Sequence, residues 1–225
     1  MSINNTELIS HLKEFVSINR FNLFQEKADL RTNYITVVLE DIFQSRNISA
    51  SIRSADCFGI QNIHIIENYN SFNHDSEVSL GSEKWVSLNR YNNSKENSIS
   101  VCNMLKSNGY QIIATTPHNT DCSLYELDVS KKIALVFGSE INGCSQDILK
   151  IADKKMNIPM YGFSESFNIS VSVSLCLQHL TYLIRKNNIN WQLENKMKNQ
   201  VILNWLRNSI KYSEKIEKKY YLSRM

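Results

Sequence analysis

Three short polar stretches stand where the surrounding pattern is apolar, and each carries residue types that could do chemistry. The first is NISASIRSAD, residues 47–56. With Asn47 as helix cap, Ile48, Ile52 and Ala55 share one face and Ser49, Arg53 and Asp56 the other. An arginine held in the first two turns of such a helix can clamp a phosphate, because its planar fork presents several donors at once. A surface ion pair between Arg53 and Asp56, three residues apart, is the alternative.

The second stretch is LVFGSEINGCS, in which an apolar strand ends at Gly138 and is followed by Ser139, Glu140 and Asn142, with a second turn glycine at Gly143. Ligands of open α/β sheets bind beyond the carboxyl ends of strands, where this loop would lie. The third is GFSESFNISVSVSL, residues 162–175, preceded by Ile158, Pro159 and Met160. Its alternating serines imitate a half-buried strand. However, Ile169, Val173, Cys176 or Leu177, Leu180 and Leu183 or Ile184 continue at helical spacing for too long to be one strand. The stretch therefore reads as a loop capped by Asn168 that feeds a helix, its serines small enough to allow close packing.

The elements that must position these stretches form an α/β pattern. Strands are expected at YITVVLE (34–40), NIHIIE (62–67), WVSLNRY (85–91), YQIIATT (110–116), KIALVFG (132–138) and MNIPMYG (156–162), with helices between them near 47–59, 94–108 and 145–153. Strands separated by helices of this length imply a mostly parallel sheet covered on both faces. One or two helices precede the first strand, and helical segments follow residue 187. The expected organisation is an N-terminal helical extension at 1–31, a central domain at 32–186 and a basic C-terminal helical extension at 187–225.

Several function classes are excluded by pattern. The turn after the first strand, LEDIFQSRN, has no glycine, and no G-x-x-x-x-G-K-S occurs, so neither a dinucleotide fold nor a P-loop is indicated. The five cysteines are scattered and the five histidines lack ligand spacing, so no metal site is expected. No apolar run approaches the roughly 18 residues a membrane span needs. The opening MSINNTELIS lacks the basic and apolar segments of a secretory signal, which points to the cytoplasm. Charge is unevenly placed: residues 185–225 hold ten Lys or Arg against three acidic residues, whereas the remainder is mildly acidic. A basic appendage suggests a polyanionic partner, a solvated helix face being the other reading.

Together and in this order, the three stretches resemble the motifs of the SpoU/TrmH family within the SPOUT superfamily of RNA 2'-O-ribose methyltransferases, over roughly residues 32–186. Asn47 and Arg53 match the first motif, Gly138, Glu140 and Gly143 the second, and Ile158, Pro159, Met160, Ser166, Asn168 and Ser170 the third. Phe167 departs from the leucine more familiar there. The resemblance implies a C-terminal trefoil knot that gathers the turns at Thr115, Gly138–Gly143 and Ile158–Asn168 around S-adenosylmethionine, with Thr115, Gly138, Ile158, Met160 and Phe167 at the cofactor. It further implies that Arg53 acts on the ribose hydroxyl and an RNA phosphate, oriented by Asn47. Glu140, Ser166 and Asn168 would shape the site, and the enzyme would be a homodimer. Helical extensions at both ends are most similar to the tRNA-modifying branch, whose target is guanosine 18 of the D-loop. Lys211, Lys215, Lys218, Lys219 and Arg224 would then hold tRNA phosphates. Trp205, Tyr212, Tyr220 and Tyr221 would either stack on unpaired bases or pack the terminal helices. Action on another tRNA or rRNA nucleotide, and a non-catalytic RNA-binding role, remain alternatives.

Overall fold

The computed structural model describes residues 5–94 and 96–223. In chain order the elements are α1 (Asn5–Leu12), α2 (Ile18–Asp29), β1 (Ile35–Glu40), α3 (Ser45–Phe58), β2 (Asn62–Ile66), α4 (Ser76–Ser79), β3 (Ser87–Tyr91), α5 (Asn97–Ser107), β4 (Tyr110–Thr115), β5 (Cys122–Ser123), β6 (Lys132–Phe137), α6 (Gln146–Ile151), β7 (Lys154–Asn157), α7 (Ile169–Lys186), α8 (Asn195–Ser209) and α9 (Ser213–Leu222). Contacts divide the chain into residues 32–191 and a helical unit formed by the described parts of 1–31 and 192–225.

The first unit is built on one sheet in the order β3-β2-β1-β6-β4-β7-β5, with every pairing parallel. A central parallel strand is buried on both faces, which explains why β1 reads as the unbroken run ITVVL before its terminal glutamate. Strand alternation divides the core in two. Ile35, Val37 and Leu39 face Ile48, Ile52 and Ala55 of α3 and Val173, Leu177 and Leu180 of α7. Val38, Ala134 and Val136 face Val101 and Leu105 of α5 and Ile148 of α6. Ile52 is fully buried, and trimming it to alanine would cost about 2–5 kcal/mol.

Two local expectations need correction. Asn47 is not the cap of α3: the helix begins at Ser45 after Gln44, and Asn47 lies buried within its first turn. The final sheet strand covers Lys154–Asn157 and stops before Ile158, because the following Pro159 has no N–H to give a ladder. The partner of β7 on its outer side, the two-residue β5, is too short to leave a periodic signal. The cap at Asn168 is as expected, its Oδ1 accepting from the Ser170 N–H at 2.9 Å.

In the helical unit, Leu8, Leu12, Phe24, Ala28, Val201, Leu203 and Leu206 are buried. Trp205 is only 2% exposed, with the Phe24 ring centroid at 5.8 Å and the Arg31 guanidinium 5.2 Å from its own. Tyr220 is also buried and stacks on His11 at 4.5 Å. These two rings therefore pack the helices and are not available to stack on bases, whereas Tyr212 and Tyr221 are exposed. Arg207 donates twice to the Glu217 carboxylate, at 2.7 and 2.8 Å, joining α8 to α9. Lys211, Lys215, Lys218 and Lys219 all reach solvent, the first two with ammonium groups 5.2 and 5.1 Å from the Tyr212 ring centroid. Arg224 lies outside the described residues.

Candidate active site

Strands β6, β4 and β7 are neighbours and parallel, so the segments that leave Phe137, Thr115 and Asn157 depart side by side from one edge of the sheet. This places Thr115, Gly138 and Ile158 together. Thr115 spends its hydroxyl on the Val136 carbonyl at 2.9 Å, and its own carbonyl accepts from the Cys144 thiol at 3.5 Å. Ile158 is half-buried against the sheet core.

The segment after β6 is closed tightly. Ser139 and Gly143 exchange both backbone hydrogen bonds, at 3.0 and 2.9 Å, and Gly143 has φ +64°. A Cβ on Gly138 would lie 2.0 Å from the Gly143 carbonyl carbon, so no other residue fits there. This loop is anchored at its far end by Glu40, a residue the sequence pattern did not single out. Glu40 is 2% exposed, and its carboxylate accepts from the Ser145 N–H at 2.9 Å, the Ser145 hydroxyl at 2.7 Å and the Ser98 hydroxyl. The available signal was an acid ending an otherwise apolar strand.

Glu140 projects from the closed loop onto the start of α3. Its carboxylate accepts from the backbone N–H of Phe43 at 2.9 Å and of Gln44 at 3.2 Å, and from the Asn47 amide at 2.7 Å. It thereby satisfies donors at a helix N-terminus from another segment, where the helix dipole also favours negative charge. Burial pushes this carboxyl up, but the Asn47, Phe43 and Gln44 hydrogen bonds outweigh it and hold it below the ordinary range. The Asn47 Oδ1 in turn accepts from the Asn168 amide at 3.1 Å. Asn168 Oδ1 accepts from Ser170. A chain of bonds thus joins one residue from each of the three polar stretches.

Arg53 stands outside that chain. It is exposed and makes no hydrogen bond or ion pair with any described residue, so the pairing with Asp56 is not formed. Six positions separate it from Asn47, about 120° around the helix, and no bond joins the two. Ser166 and Phe167 lie in the segment between β7 and α7, where residues 160–167 make no backbone-to-backbone hydrogen bond among the described residues. Met160 is half-buried, Phe167 is 41% exposed, and Tyr161 and Phe163 stand wholly in solvent. Alongside, Ala50, Ser54 and Phe58 of α3 and Ser170, Val171, Ser174, Leu175 and Gln178 of α7 line a shallow, mostly apolar groove. Among the described residues no cluster of His, Cys, Asp and Glu could hold a metal, and no helix is long and apolar enough to cross a membrane.

The model of the SpoU rRNA Methylase family matches residues 34–178. A tRNA (guanosine(18)-2'-O)-methyltransferase of Borreliella burgdorferi is 38% identical over 209 residues, covering 93% of this chain and 94% of the relative. The crystal structure of the A. aeolicus TrmH/SpoU tRNA modifying enzyme superposes with a TM-score of 0.76 at 26% identity, over 86% of this chain and 98% of that one. The SpoU methyltransferase AviRb of Streptomyces viridochromogenes, solved with the cofactor AdoMet, shares the fold at a TM-score of 0.60 and 20% identity, over 72% of this chain and 62% of its own.

Proposed function

Since the chain belongs to the SpoU rRNA methylase family, we propose that it transfers a methyl group from S-adenosylmethionine to the ribose 2'-hydroxyl of guanosine 18 in tRNA. The observation that carries this reading is the bonded set Glu140–Asn47–Asn168, which joins the three polar stretches in a chain that aligns over 93% of its length with a guanosine-18 enzyme.

The residues present suit the cofactor. Residues 160–167 offer consecutive backbone groups without backbone partners among the described residues, beside three strand ends, with half-buried Ile158 and Met160 and partly exposed Phe167 as apolar walls. Thr115 and Gly138 complete this edge. When bound, S-adenosylmethionine supplies an activated methyl group, so what is asked of the chain lies at the nucleophile. The ribose hydroxyl is weakly acidic, and charge develops on its oxygen as its proton leaves. A guanidinium is a poor base, so Arg53 acts by charge, stabilising the developing alkoxide and holding an adjacent phosphate. Having no hydrogen-bond or ion-pair partner among the described residues, it keeps its donors for RNA. Glu140 and Asn47 hold the frame, while Ser166 and Asn168 orient the ribose.

The sheet order supports a trefoil knot in the C-terminal half. The last strand, β7, lies between β4 and β5, both made earlier, and the chain then returns as α7 to pack with α3. The groove between α3 and α7 supports a homodimer. Small residues there permit close approach, and Val171 and Leu175 are 43% and 39% exposed. Residues 32–186 would be the methyltransferase domain, and the segments 1–31 and 187–225 its helical extensions. Lys211, Lys215, Lys218 and Lys219 would contact tRNA phosphates, in the cytoplasm where tRNA is modified.

The test is methyl transfer to an unmodified tRNA transcript followed by ribose-methylation mapping. A single 2'-O-methyl at guanosine 18 is expected, and none on a transcript carrying 2'-deoxyguanosine there. Methylation at another nucleotide, or on ribosomal RNA alone, would overturn the reading.

A further inference from the structure

We infer that Tyr161 and Phe163 form a stacking platform for unpaired nucleobases of the RNA next to the methylated ribose. This deepens the function proposed above and rests on it. The two rings flank Gly162 and are 97% and 110% exposed. A lone exposed ring needs no explanation, but two within three residues leave a large apolar area in water. Among the described residues their backbone makes no hydrogen bond to other backbone.

The chemistry of the segment selects the occupant. No Lys or Arg occurs between Lys155 and Arg185, and the segment carries the exposed carboxylate Glu165. Phosphates are therefore disfavoured there, whereas the flat face of a base stacks on an aromatic ring without needing a counter-charge. Position fits the same partner. Ser166 and Asn168 follow within seven residues of Tyr161, and Asn168 is bonded to Asn47 on α3, the helix that presents the exposed cation Arg53. Arg53 would take the sugar-phosphate side of the substrate and the rings its bases. Cofactor adenine is a poorer occupant, because such ligands are enclosed by their sites and these rings have almost no neighbouring protein.

The experiment compares wild type with Tyr161→Ala, Phe163→Ala and Phe163→Leu, measuring affinity for unmodified tRNA, affinity for S-adenosylmethionine by calorimetry, and mass in solution. Loss of one stacked base corresponds to roughly 5- to 150-fold weaker RNA binding. Each alanine variant should fall in that range with mass unchanged and with tRNA affinity lowered far more than cofactor affinity, because the segment offers the cofactor its backbone rather than these rings, and Phe163→Leu should match Phe163→Ala. Full RNA affinity in the leucine variant would reduce the ring to apolar packing. Weakened cofactor binding with intact RNA binding would assign the rings to the cofactor, and a fall in mass would assign them to a contact between copies. Wild type that neither binds nor methylates tRNA would sink the functional reading itself, whereas wild-type binding shared by all variants would sink only the platform.

Discussion

The sheet edge and the terminal helical unit treat their polar and aromatic residues in opposite ways. At the edge, residues marked by motif are one another's partners: Glu140, Asn47 and Asn168 bond across segments about 90 to 120 residues apart, while Arg53 is exposed and has no hydrogen-bond or ion-pair partner among the described residues. In the helical unit, residues marked only by composition divide by burial. Trp205 and Tyr220 go inside, and the lysines stay in water. A side chain can therefore be costly to remove in two different ways, through stability or through rate, and the two regions should separate them.

The largest effect is expected in the helical unit and in stability. Trp205→Ala removes a fully packed indole, which costs about 3–5 kcal/mol. Denaturant unfolding measures it, and the salt dependence of tRNA binding by the protein that remains folded should be unchanged. A shallower salt dependence without lost stability would make Trp205 an RNA contact and break the contrast.

Next comes Arg53→Ala, whose cost should appear in rate alone. Removing one electrostatic donor from a reacting oxygen typically costs about 10² to 10³. With no hydrogen-bond or ion-pair partner to lose among the described residues, the unfolding free energy should stay within about 0.5 kcal/mol of wild type. Single-turnover methyl transfer near the wild-type rate would return Arg53 to the solvated surface.

Glu140→Ala should cost less, about 1–3 kcal/mol, because Phe43, Gln44 and Asn47 lose their acceptor but some can turn to water. Its pH dependence identifies the mechanism. The folded carboxyl lies below its ordinary range, so its contribution is complete above that range and disappears as pH falls through the lowered folded value. The stability difference between wild type and Glu140→Gln should therefore shrink on acidification below about pH 4.5. A constant difference would mean that packing, rather than the ionised acceptor, holds the loop.

The same contrast explains what was legible in the sequence. The parallel sheet, the helices on both faces and the cap at Asn168 followed from periodicity, because apolar burial and a local side-chain cap both act within a few residues. The Asn47 cap did not follow, since the donors of that turn are taken by Glu140, 93 residues away. Glu40 escaped for the same reason, its donors Ser98 and Ser145 coming from distant helix starts. The short β5 is held by its neighbour β7 rather than by its own two residues. In the tail, charge and aromatic content could not tell a buried ring from an exposed one, because α9 sets buried Tyr220 beside exposed Tyr221.

The smallest effect concerns those lysines, and the fold dictates how to measure it. Deleting residues 211–225 would remove buried Tyr220 and the Glu217 carboxylate that Arg207 holds, and would therefore confuse lost RNA contact with lost packing. Replacing Lys211, Lys215, Lys218 and Lys219 by glutamine avoids this, since all four are exposed and surface changes of this kind alter stability by less than about 0.5 kcal/mol. Each phosphate contact releases condensed counterions, contributing roughly 0.7 to 0.9 to the slope of log affinity against log salt. If about three of the four cations meet phosphates, the slope for tRNA should become shallower by roughly two to three units with the melting temperature unchanged. A slope equal to that of wild type would leave the lysines as a solvated face, and the basic excess of the tail would then serve solubility rather than binding.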